Sequence, residues 1–236
     1  MRLDKLLSNM QIGTRSEVKK YIKNGQVSVD GSYKVRPEQQ VDPQKQTICC
    51  FGKELNYQEF EYYMFYKPGD CVTARTDSMH KTVMDYIDSS CRDLSPVGRL
   101  DLDTEGLLLI TNDGVLSHNL LSPAKHVNKI YEATIDGIVT PEDVAAFEKG
   151  LDIGDDTPTK PAILEILEAG ETSKIRVTIT EGRYHQVKRM FRAVGKQVTF
   201  LKRLQMGSLK LDDTLQPGEY RSLTEAEIKT LKEQEA

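Results

Sequence analysis

The spacing of hydrophobic residues predicts a small N-terminal module of two short helices and a few short strands. Thr14 and Glu17 form a capping-box pattern, which is typical of the start of a helix. Asn24-Gly25 is a typical helix stop, and Asp30-Gly31 separates two alternating segments, which predicts a hairpin. The predicted helices cover residues 3–9 and 14–23, and the predicted strands cover residues 26–29, 32–35 and 47–51.

A larger domain is predicted after residues 52–61, which are polar and indicate a linker. Its predicted strands outnumber its helices and do not alternate with them, so we expect an α+β fold with a mixed, mainly antiparallel sheet. The predicted domain boundaries are 1–57 for the N-terminal module and 61–236 for the second domain. The predicted strands cover residues 62–66, 107–111, 129–135, 163–167, 174–180 and 198–204, and the predicted helices cover residues 81–88, 113–121, 140–149, 185–194 and 225–233.

One central stretch combines two turns with an apolar strand. A small-residue turn leads to Arg99 and Asp101, and a second, acidic turn ends at Gly106. Residues 107–111 are apolar, and Asn112-Asp113-Gly114 is a strong turn signal. Two side chains of opposite charge therefore lie on a loop that a buried strand holds, which is how rigid scaffolds present reactive groups.

The acidic residues of this stretch have three interpretations. Asp101 and Asp103 could be turn residues that bond nearby backbone, and we expect this for Asp103 and Asp113. The beginning of the stretch also matches a calcium-binding loop, but the twelfth position is Asn112 where a bidentate Glu is required. The third interpretation is catalytic, and it depends on a family resemblance.

Gly98-Arg99-Leu100-Asp101, followed by Thr104-x-Gly106-Leu107-Leu108, resembles the signature of the RsuA-type branch of RNA pseudouridine synthases. Three N-terminal segments resemble the RNA-binding module named after ribosomal protein S4. These segments are Arg2-Leu3-Asp4-Lys5-Leu6-Leu7, Thr14-Arg15-Ser16-Glu17-Val18, and Gly25-Gln26-Val27-x-Val29-Asp30-Gly31. The resemblance implies an S4-like module followed by a pseudouridine synthase catalytic domain.

Overall composition is that of an ordinary globular protein. The chain has 236 residues, of which 38% are hydrophobic and 29% charged, and it has neither a membrane-length apolar run nor a signal-peptide core. We therefore expect a cytoplasmic protein. The four cysteines, two of which are adjacent, suit neither a zinc site nor a disulfide framework, so reduced thiols are expected.

Positive charge is concentrated in two places although the net charge is −4. Residues 1–57 contain ten Lys and Arg against six Asp and Glu, and residues 183–210 contain eight basic residues and no acid. Local basic patches matter more to a polyanion than the total charge does. This distribution is compatible with RNA as a partner.

The resemblance implies that the enzyme converts a uridine to pseudouridine by breaking the N1–C1′ bond and rejoining the sugar to C5 of the base. No redox step occurs, so we expect no cofactor and no metal. Asp101 matches the family's nucleophile, a role in which a carboxylate adds to the substrate or stabilises charge at C1′. Tyr131, in Asn128-Lys129-Ile130-Tyr131-Glu132, matches the active-site tyrosine, although a packed core tyrosine is the alternative.

Two basic residues complete the implied site. Lys188, in Glu181-Gly182-Arg183-Tyr184-His185-Gln186-Val187-Lys188-Arg189-Met190, matches the residue that pairs with the catalytic Asp, where many relatives have Arg. Without the motif, an exposed helix lysine would be favoured. Arg99 matches the residue that fills the space left by the flipped uridine.

Further basic and polar residues are predicted to contact RNA, with a solvated helix face or a structural hydrogen bond as the alternatives. In the N-terminal module they are Arg2, Lys5, Arg15, Lys19, Lys20 and Lys23, and in the second domain they are Arg183, His185, Gln186, Arg189, Arg192, Lys196, Lys202 and Arg203.

Two segments indicate the branch. Thr159-Lys160-Pro161-Ala162 and residues 183–189 resemble the small-subunit enzyme, which modifies uridine 516 of 16S ribosomal RNA, more than the large-subunit enzymes. The alternatives are a large-subunit (23S) target, or an assembly factor that binds ribosomal RNA without catalysis. We expect a monomer whose partner is ribosomal RNA.

Overall fold

The structure, a computed structural model, describes residues 1–55, 57–89, 91 and 93–233. Asn56 of the predicted linker, together with Ser90, Arg92 and residues 234–236 of the predicted second domain, lies outside the described residues. The chain divides into two compact units. The first comprises Met1–Glu61 and Asp88–Leu94, and the second comprises Tyr62–Ile87 and Ser95 onward.

The first unit packs two helices against a three-stranded antiparallel sheet. Leu3, Leu6 and Leu7 of the first helix are fully buried in its core. The predicted capping box is confirmed, because Thr14 and Glu17 each accept a hydrogen bond from the other's backbone N–H. The elements are α1 (Leu3–Asn9), α2 (Arg15–Lys23), β1 (Val27–Val29), β2 (Ile48–Cys50) and β3 (Lys53–Glu54).

The predicted hairpin of residues 26–29 and 32–35 is wrong in its second strand. Val29 and Ser32 close a tight turn with two backbone hydrogen bonds of 3.0 Å, but the pairing stops there. The residues after the turn are mostly exposed, so they bury too little surface to form a strand. Instead, β1 pairs with β2, and β2 pairs with Lys53–Glu54, which the sequence assigned to the linker.

Nine strands form the main sheet of the second unit, with helix Pro141–Lys149 against strand Ile163–Glu168 and helix Gln186–Ala193 against strand Gln197–Met206. The predicted helix 81–88 is only a short 3-10 helix, Val83–Tyr86, and a second such turn is Pro123–Lys125. The strands are β4 (Tyr62–Lys67), β5 (Ser95–Pro96), β6 (Glu105–Thr111), β7 (Lys129–Asp136), β8 (Ile163–Glu168), β9 (Thr172–Ile179), β10 (Gln197–Met206), β11 (Leu209–Lys210) and β12 (Tyr220–Ser222), and the helices are α3 (Gly114–Leu121), α4 (Pro141–Lys149), α5 (Gln186–Ala193) and α6 (Glu225–Glu233).

The strand order is β12-β4-β6-β10-β7-β9-β8, with β5 beside β6 and β11 beside β10. Among the described pairs, β6 with β10 is parallel and the others are antiparallel. The predicted α+β fold with a mixed, mainly antiparallel sheet is therefore confirmed. No helix in the described part of the chain has the length and apolar character required to cross a membrane.

Side chains alternate across β7, and Tyr131, Ala133 and Ile135 lie on its buried face. That face belongs to a core to which α4 and α5 contribute Phe147 and Phe191, whose rings are 4.9 Å apart. The same core includes Leu100 and Val187, the neighbours in sequence of Asp101 and Lys188, so it packs the two segments that carry the predicted site.

Gly106 lies where β6 pairs with β10, opposite Arg203. Its φ is +103°, and a Cβ there would lie 2.3 Å from the carbonyl oxygen of Arg203. A larger residue would therefore both strain the backbone and push the two parallel strands apart.

Candidate functional site

Asp101 and Lys188 form the centre of the site. The Lys188 Nζ atom lies 3.0 Å from Asp101 Oδ2, and His185 Nε2 lies 3.5 Å from Asp101 Oδ1. The Asp101 side chain is 26% exposed and that of Lys188 is 20% exposed, so the pair is largely buried but still accessible to solvent. The structure therefore brings together two residues that are far apart in sequence and that the motif resemblance had paired.

Asp103 shares the ammonium group of Lys188, with Oδ1 at 2.5 Å from Nζ. Burial by itself would lower the pKa of Lys188, but hydrogen bonds to Asp103 and Asp101 outweigh it, and the pKa is raised. Burial would raise the pKa of Asp103, but the hydrogen bond from Lys188 keeps that pKa below its ordinary value. Lys188 is therefore firmly cationic, and Asp103 does more than the predicted turn role.

Lys67 holds the loop that carries both carboxylates. Its side chain is fully buried, and its ammonium donates hydrogen bonds to the carbonyl oxygens of Pro68, Leu102 and Thr104 at 2.9, 3.1 and 2.9 Å. Burial lowers the pKa of Lys67, while the nearby carboxylates, including Asp101, act in the opposite direction. The sequence analysis does not identify this residue. The signal that could have found it is a lysine directly after the predicted apolar strand of residues 62–66.

A row of register partners runs across the sheet on the buried face. Lys67 pairs with Gly106, Gly106 with Arg203, and Arg203 with Tyr131. Tyr131 is 7% exposed and belongs to the buried core, a position compatible with both of its interpretations.

Arg203 is 2% exposed, so the prediction that it extends a phosphate-binding surface is wrong. Its Nε donates to the carbonyl oxygen of Leu107 at 2.8 Å, and its Nη2 has no hydrogen-bond partner among the described residues. The strand register turns this side chain inward, which the basic composition of residues 183–210 could not reveal.

Lys129 is a further buried cation, 7% exposed, and its ammonium donates to the carbonyl oxygen of Val127 at 3.1 Å. Burial lowers its pKa to about 8, and the charge of Arg203 acts in the same direction, whereas Glu181 opposes the change.

Glu181 organises the loop that leads into α5. This carboxylate is 8% exposed, and Oε1 accepts hydrogen bonds from the backbone N–H of Lys160 and from Gln186 Nε2, both at 2.9 Å. Gln186 is itself buried, and its Oε1 accepts from the backbone N–H of Arg183. Gln186 therefore makes structural hydrogen bonds in this structure, which was the alternative to its predicted contact with RNA.

Arg183 and Arg189 bind a neighbouring loop around Asp155. Arg183 donates to the carbonyl oxygens of Thr157 and Pro158 at 2.6 and 2.8 Å, and Arg189 Nε donates to that of Ile153 at 3.1 Å. Both guanidinium groups also form ion pairs with Asp155, which hold its pKa below the ordinary value. Their predicted contact with RNA stays a prediction, and these intramolecular partners compete with it.

Other predicted residues differ in exposure. Arg99 is exposed, two residues before Asp101, and has no hydrogen-bond or ion-pair partner among the described residues. Lys196 forms an ion pair with Asp143, and Lys202 lies over the ring of Tyr66. Arg192 is exposed, and so are the six basic residues of the first unit: Arg2, Lys5, Arg15, Lys19, Lys20 and Lys23.

Comparison with known proteins gives the family. A family model described as RNA pseudouridylate synthase matches residues 61–193, and a model of the S4 domain matches residues 1–46. A Bacillus subtilis (strain 168) protein named Uncharacterized RNA pseudouridine synthase YtzG is 47% identical over 100% of both chains. Proteins named Ribosomal small subunit pseudouridine synthase A are 42% identical in Pasteurella multocida (strain Pm70), over 98% of this chain and 99% of that one, and 39% identical in Escherichia coli (strain K12), over 97% and 98%.

A solved structure described as a crystal structure of pseudouridylate synthase has 38% identity and a TM-score of 0.69, covering 98% of this chain and 99% of the other. The likeness extends over both units. The chain therefore belongs to the RNA pseudouridine synthase family, and the protein is an RNA-modifying isomerase with an N-terminal S4 domain.

Proposed function

We propose that the protein converts a uridine of small-subunit (16S) ribosomal RNA, at position 516, to pseudouridine. The observation that carries this proposal is a pair of hydrogen bonds at Glu181. Its carboxylate accepts one from the backbone N–H of Lys160 and one from the side-chain amide of Gln186. These two residues belong to the two segments whose sequence resembles the small-subunit enzyme. The names of the relatives at 42% and 39% identity favour the same target.

Asp101 is the proposed nucleophile. Lys188 Nζ lies 3.0 Å from this carboxylate and places a positive charge beside it in a partly buried site. The carboxylate adds to the substrate or stabilises positive charge at C1′ while the N1–C1′ bond breaks. The released uracil then turns so that C5 bonds to C1′, and a base removes the proton from C5.

Tyr131 and Arg99 have complementary proposed roles. Tyr131 is 7% exposed on the buried face, where its ring can pack against the extruded uracil and its hydroxyl can assist proton transfer. Arg99 is exposed, as a side chain must be if it is to fill the space that the flipped uridine leaves. Flipping a base costs a few kcal/mol, least where pairing is already weak.

RNA binding is proposed for the exposed basic residues of the first unit. Arg2 makes two hydrogen bonds with the buried carboxylate of Asp4, which lower the pKa of that carboxylate and orient the guanidinium at the surface. Contacts of this kind with phosphates would weaken steeply as salt is added.

The reaction is tested with purified protein and transcripts of small-subunit and large-subunit ribosomal RNA, with and without bound ribosomal proteins. Pseudouridine is mapped by carbodiimide modification and primer-extension stops. One new stop in small-subunit RNA is expected. A stop only in large-subunit RNA would retain the reaction and overturn the target, and no stop with RNA binding intact would favour a non-catalytic assembly factor.

Asp101→Asn and Asp103→Asn form a matched pair for the nucleophile, because both carboxylates contact Lys188. We expect Asp101→Asn to abolish turnover while RNA affinity hardly changes. Asp103 is 73% exposed, and exposed ion pairs contribute about 0.2–1 kcal/mol, so Asp103→Asn should change turnover less than about fivefold. Normal turnover by Asp101→Asn would refute the assignment of the nucleophile.

A further inference from the structure

Tyr184 and His185 form an exposed aromatic pair beside the proposed nucleophile. Their rings are stacked, with centroids 3.8 Å apart and planes inclined by 19°. The Tyr184 side is open, since this residue is 75% exposed, and the His185 side reaches within 3.5 Å of Asp101. A flat ring surface is therefore available to solvent immediately next to the reacting carboxylate.

The stacking of consecutive residues requires an unusual backbone. Neighbouring side chains normally point apart in an extended chain, but His185 adopts a left-handed conformation with φ +48° and ψ +35°. This conformation is unfavourable for a residue with a Cβ, and it persists only where surrounding contacts impose it.

Several hydrogen bonds impose it here. The backbone N–H of Arg183 donates to Gln186 Oε1 at 2.9 Å, and the backbone N–H of Gln186 donates to the carbonyl oxygen of Arg183 at 3.2 Å. Arg189 Nη1 donates to the carbonyl oxygen of Tyr184 at 3.1 Å. Three of the residues predicted to bind RNA thus hold the turn that presents the aromatic pair.

We propose that the ring of Tyr184, which stacks on the ring of His185, is a stacking subsite for the unpaired base that flanks the target uridine. The proposal rests on the RNA isomerisation proposed above. When the target uridine leaves its stack, the neighbouring base loses a partner, and proteins commonly provide an aromatic ring for such bases.

The exposure of Tyr184 indicates that it stacks on the flanking base and not on the target uracil. The reacting uracil needs a dry pocket, which Tyr131 at 7% exposed can border and Tyr184 at 75% exposed cannot. Tyr184 can, however, cover one face of a base whose other face remains in the RNA or in water. This is a positioning role, so it should affect substrate affinity more than the chemical step.

The first test compares Tyr184→Ala with Tyr184→Phe on the RNA that the protein modifies. Loss of one base–aromatic stack corresponds to about 5- to 150-fold in affinity, so Tyr184→Ala should raise KM by a factor in this range and leave kcat nearly unchanged. Tyr184→Phe retains the ring and should behave like the original protein. Ile138→Ala is the control. Ile138 is also an exposed hydrophobic residue, 57% exposed, and it follows the C-terminal end of β7, whereas Tyr131 lies near the N-terminal end of that strand.

An abasic nucleotide on either side of the target uridine identifies the stacked base. At the stacked position, the abasic substitution should raise KM for the original protein but add nothing to the effect of Tyr184→Ala. Fully additive effects at both positions, or an unchanged KM for Tyr184→Ala, would overturn the proposal.

A binding measurement separates this proposal from the proposed reaction. In the Asp101→Asn background, a short single-stranded RNA carrying 2-aminopurine on both sides of one uridine should lose fluorescence on binding, and Tyr184→Ala should abolish that loss. Equal fluorescence loss with and without Tyr184 would refute the subsite. If the fluorescence loss depends on the Tyr184 ring but the original protein modifies no transcript, the stacking subsite is retained and the proposed reaction is rejected.

Discussion

Replacing Lys67 by Met tests how the site loop is held. The ammonium of this fully buried lysine donates to three carbonyl oxygens, and Met fills nearly the same space without a donor. Leu102 is 42% exposed, so water can reach its carbonyl, and the half-buried Pro68 carbonyl keeps a contact with Cys71 Sγ at 3.7 Å. The Thr104 carbonyl, in contrast, loses its partner in a buried position. Each unsatisfied buried acceptor costs about 1–3 kcal/mol, and relief of the buried charge offsets part of this. We expect a loss of about 1–3 kcal/mol in the free energy of unfolding.

The same change should reduce catalysis in protein that is still folded. Asp101 and Thr104 are joined by a turn hydrogen bond of 3.1 Å, so loosening the Thr104 carbonyl displaces the nucleophile. A displacement of about 1 Å can reduce the rate about 100-fold. Turnover is measured as tritium release from RNA labelled at C5 of uridine, at a temperature where circular dichroism shows the variant to be folded.

Lys129→Met is the matched control, because Lys129 is also buried but, among the described residues, donates to a single carbonyl oxygen. Urea unfolding of both variants gives the comparison. If Lys67→Met were as stable as Lys129→Met and turned over at the normal rate, the three hydrogen bonds from Lys67 would not be what holds the loop.

Three further predictions concern stability, pH and RNA binding. Gly106→Ala should lower the melting temperature by about 6–12 °C, corresponding to about 3 kcal/mol. Gly195→Ala, at a positive φ of +73° but with nothing within 4 Å of its Cβ, should lower it less, and equal shifts would contradict the close approach of the strands. Because the pKa of Lys129 falls from 10.5 to about 8 on folding, the unfolded chain binds more protons between these values, and stability should rise with pH there by at most about 3 kcal/mol. Urea unfolding at several pH values checks this, and a rise that persists in Lys129→Met would assign it to another group. Lys19→Ala should reduce the slope of log affinity for RNA against log salt concentration by about 0.7–0.9. Lys45→Ala is the control, since Lys45 is exposed in the same unit but outside the predicted RNA-binding set, and it should leave the slope unchanged. Identical slopes for the two variants would remove Lys19 from the RNA interface.

The ends of several helices were predictable because the signals that set them are local. Thr14 and Asp113 accept hydrogen bonds from backbone N–H groups three residues onward, and the Asp143 carboxylate accepts one from the Thr140 N–H. These bonds need only the residues of one turn. The strand pattern was predictable for a similar reason, since alternate burial along β7 and β9 depends on one apolar face. The second strand of the N-terminal hairpin failed because alternation alone does not ensure a surface to pack against.

The motif resemblance paired Asp101 with Lys188, and the structure brings their charged atoms to 3.0 Å. That pairing was accessible because each residue lies in a specific run of neighbours. The third charged group, Asp103, was less accessible, since an Asp beside a turn is usually explained by backbone bonds alone.

The sequence by itself determined the family, the order of most elements and the segments that carry the chemistry, because these depend on local patterns. Only the tertiary structure decided which charged side chains face solvent. Lys67 and Arg203 lie inside because register with neighbouring strands directs them inward, and Arg183 and Arg189 bind carbonyl oxygens of a loop some 25 to 36 residues earlier in the chain. Long basic side chains can bond either phosphate or backbone, and the choice depends on which acceptors the fold brings within reach.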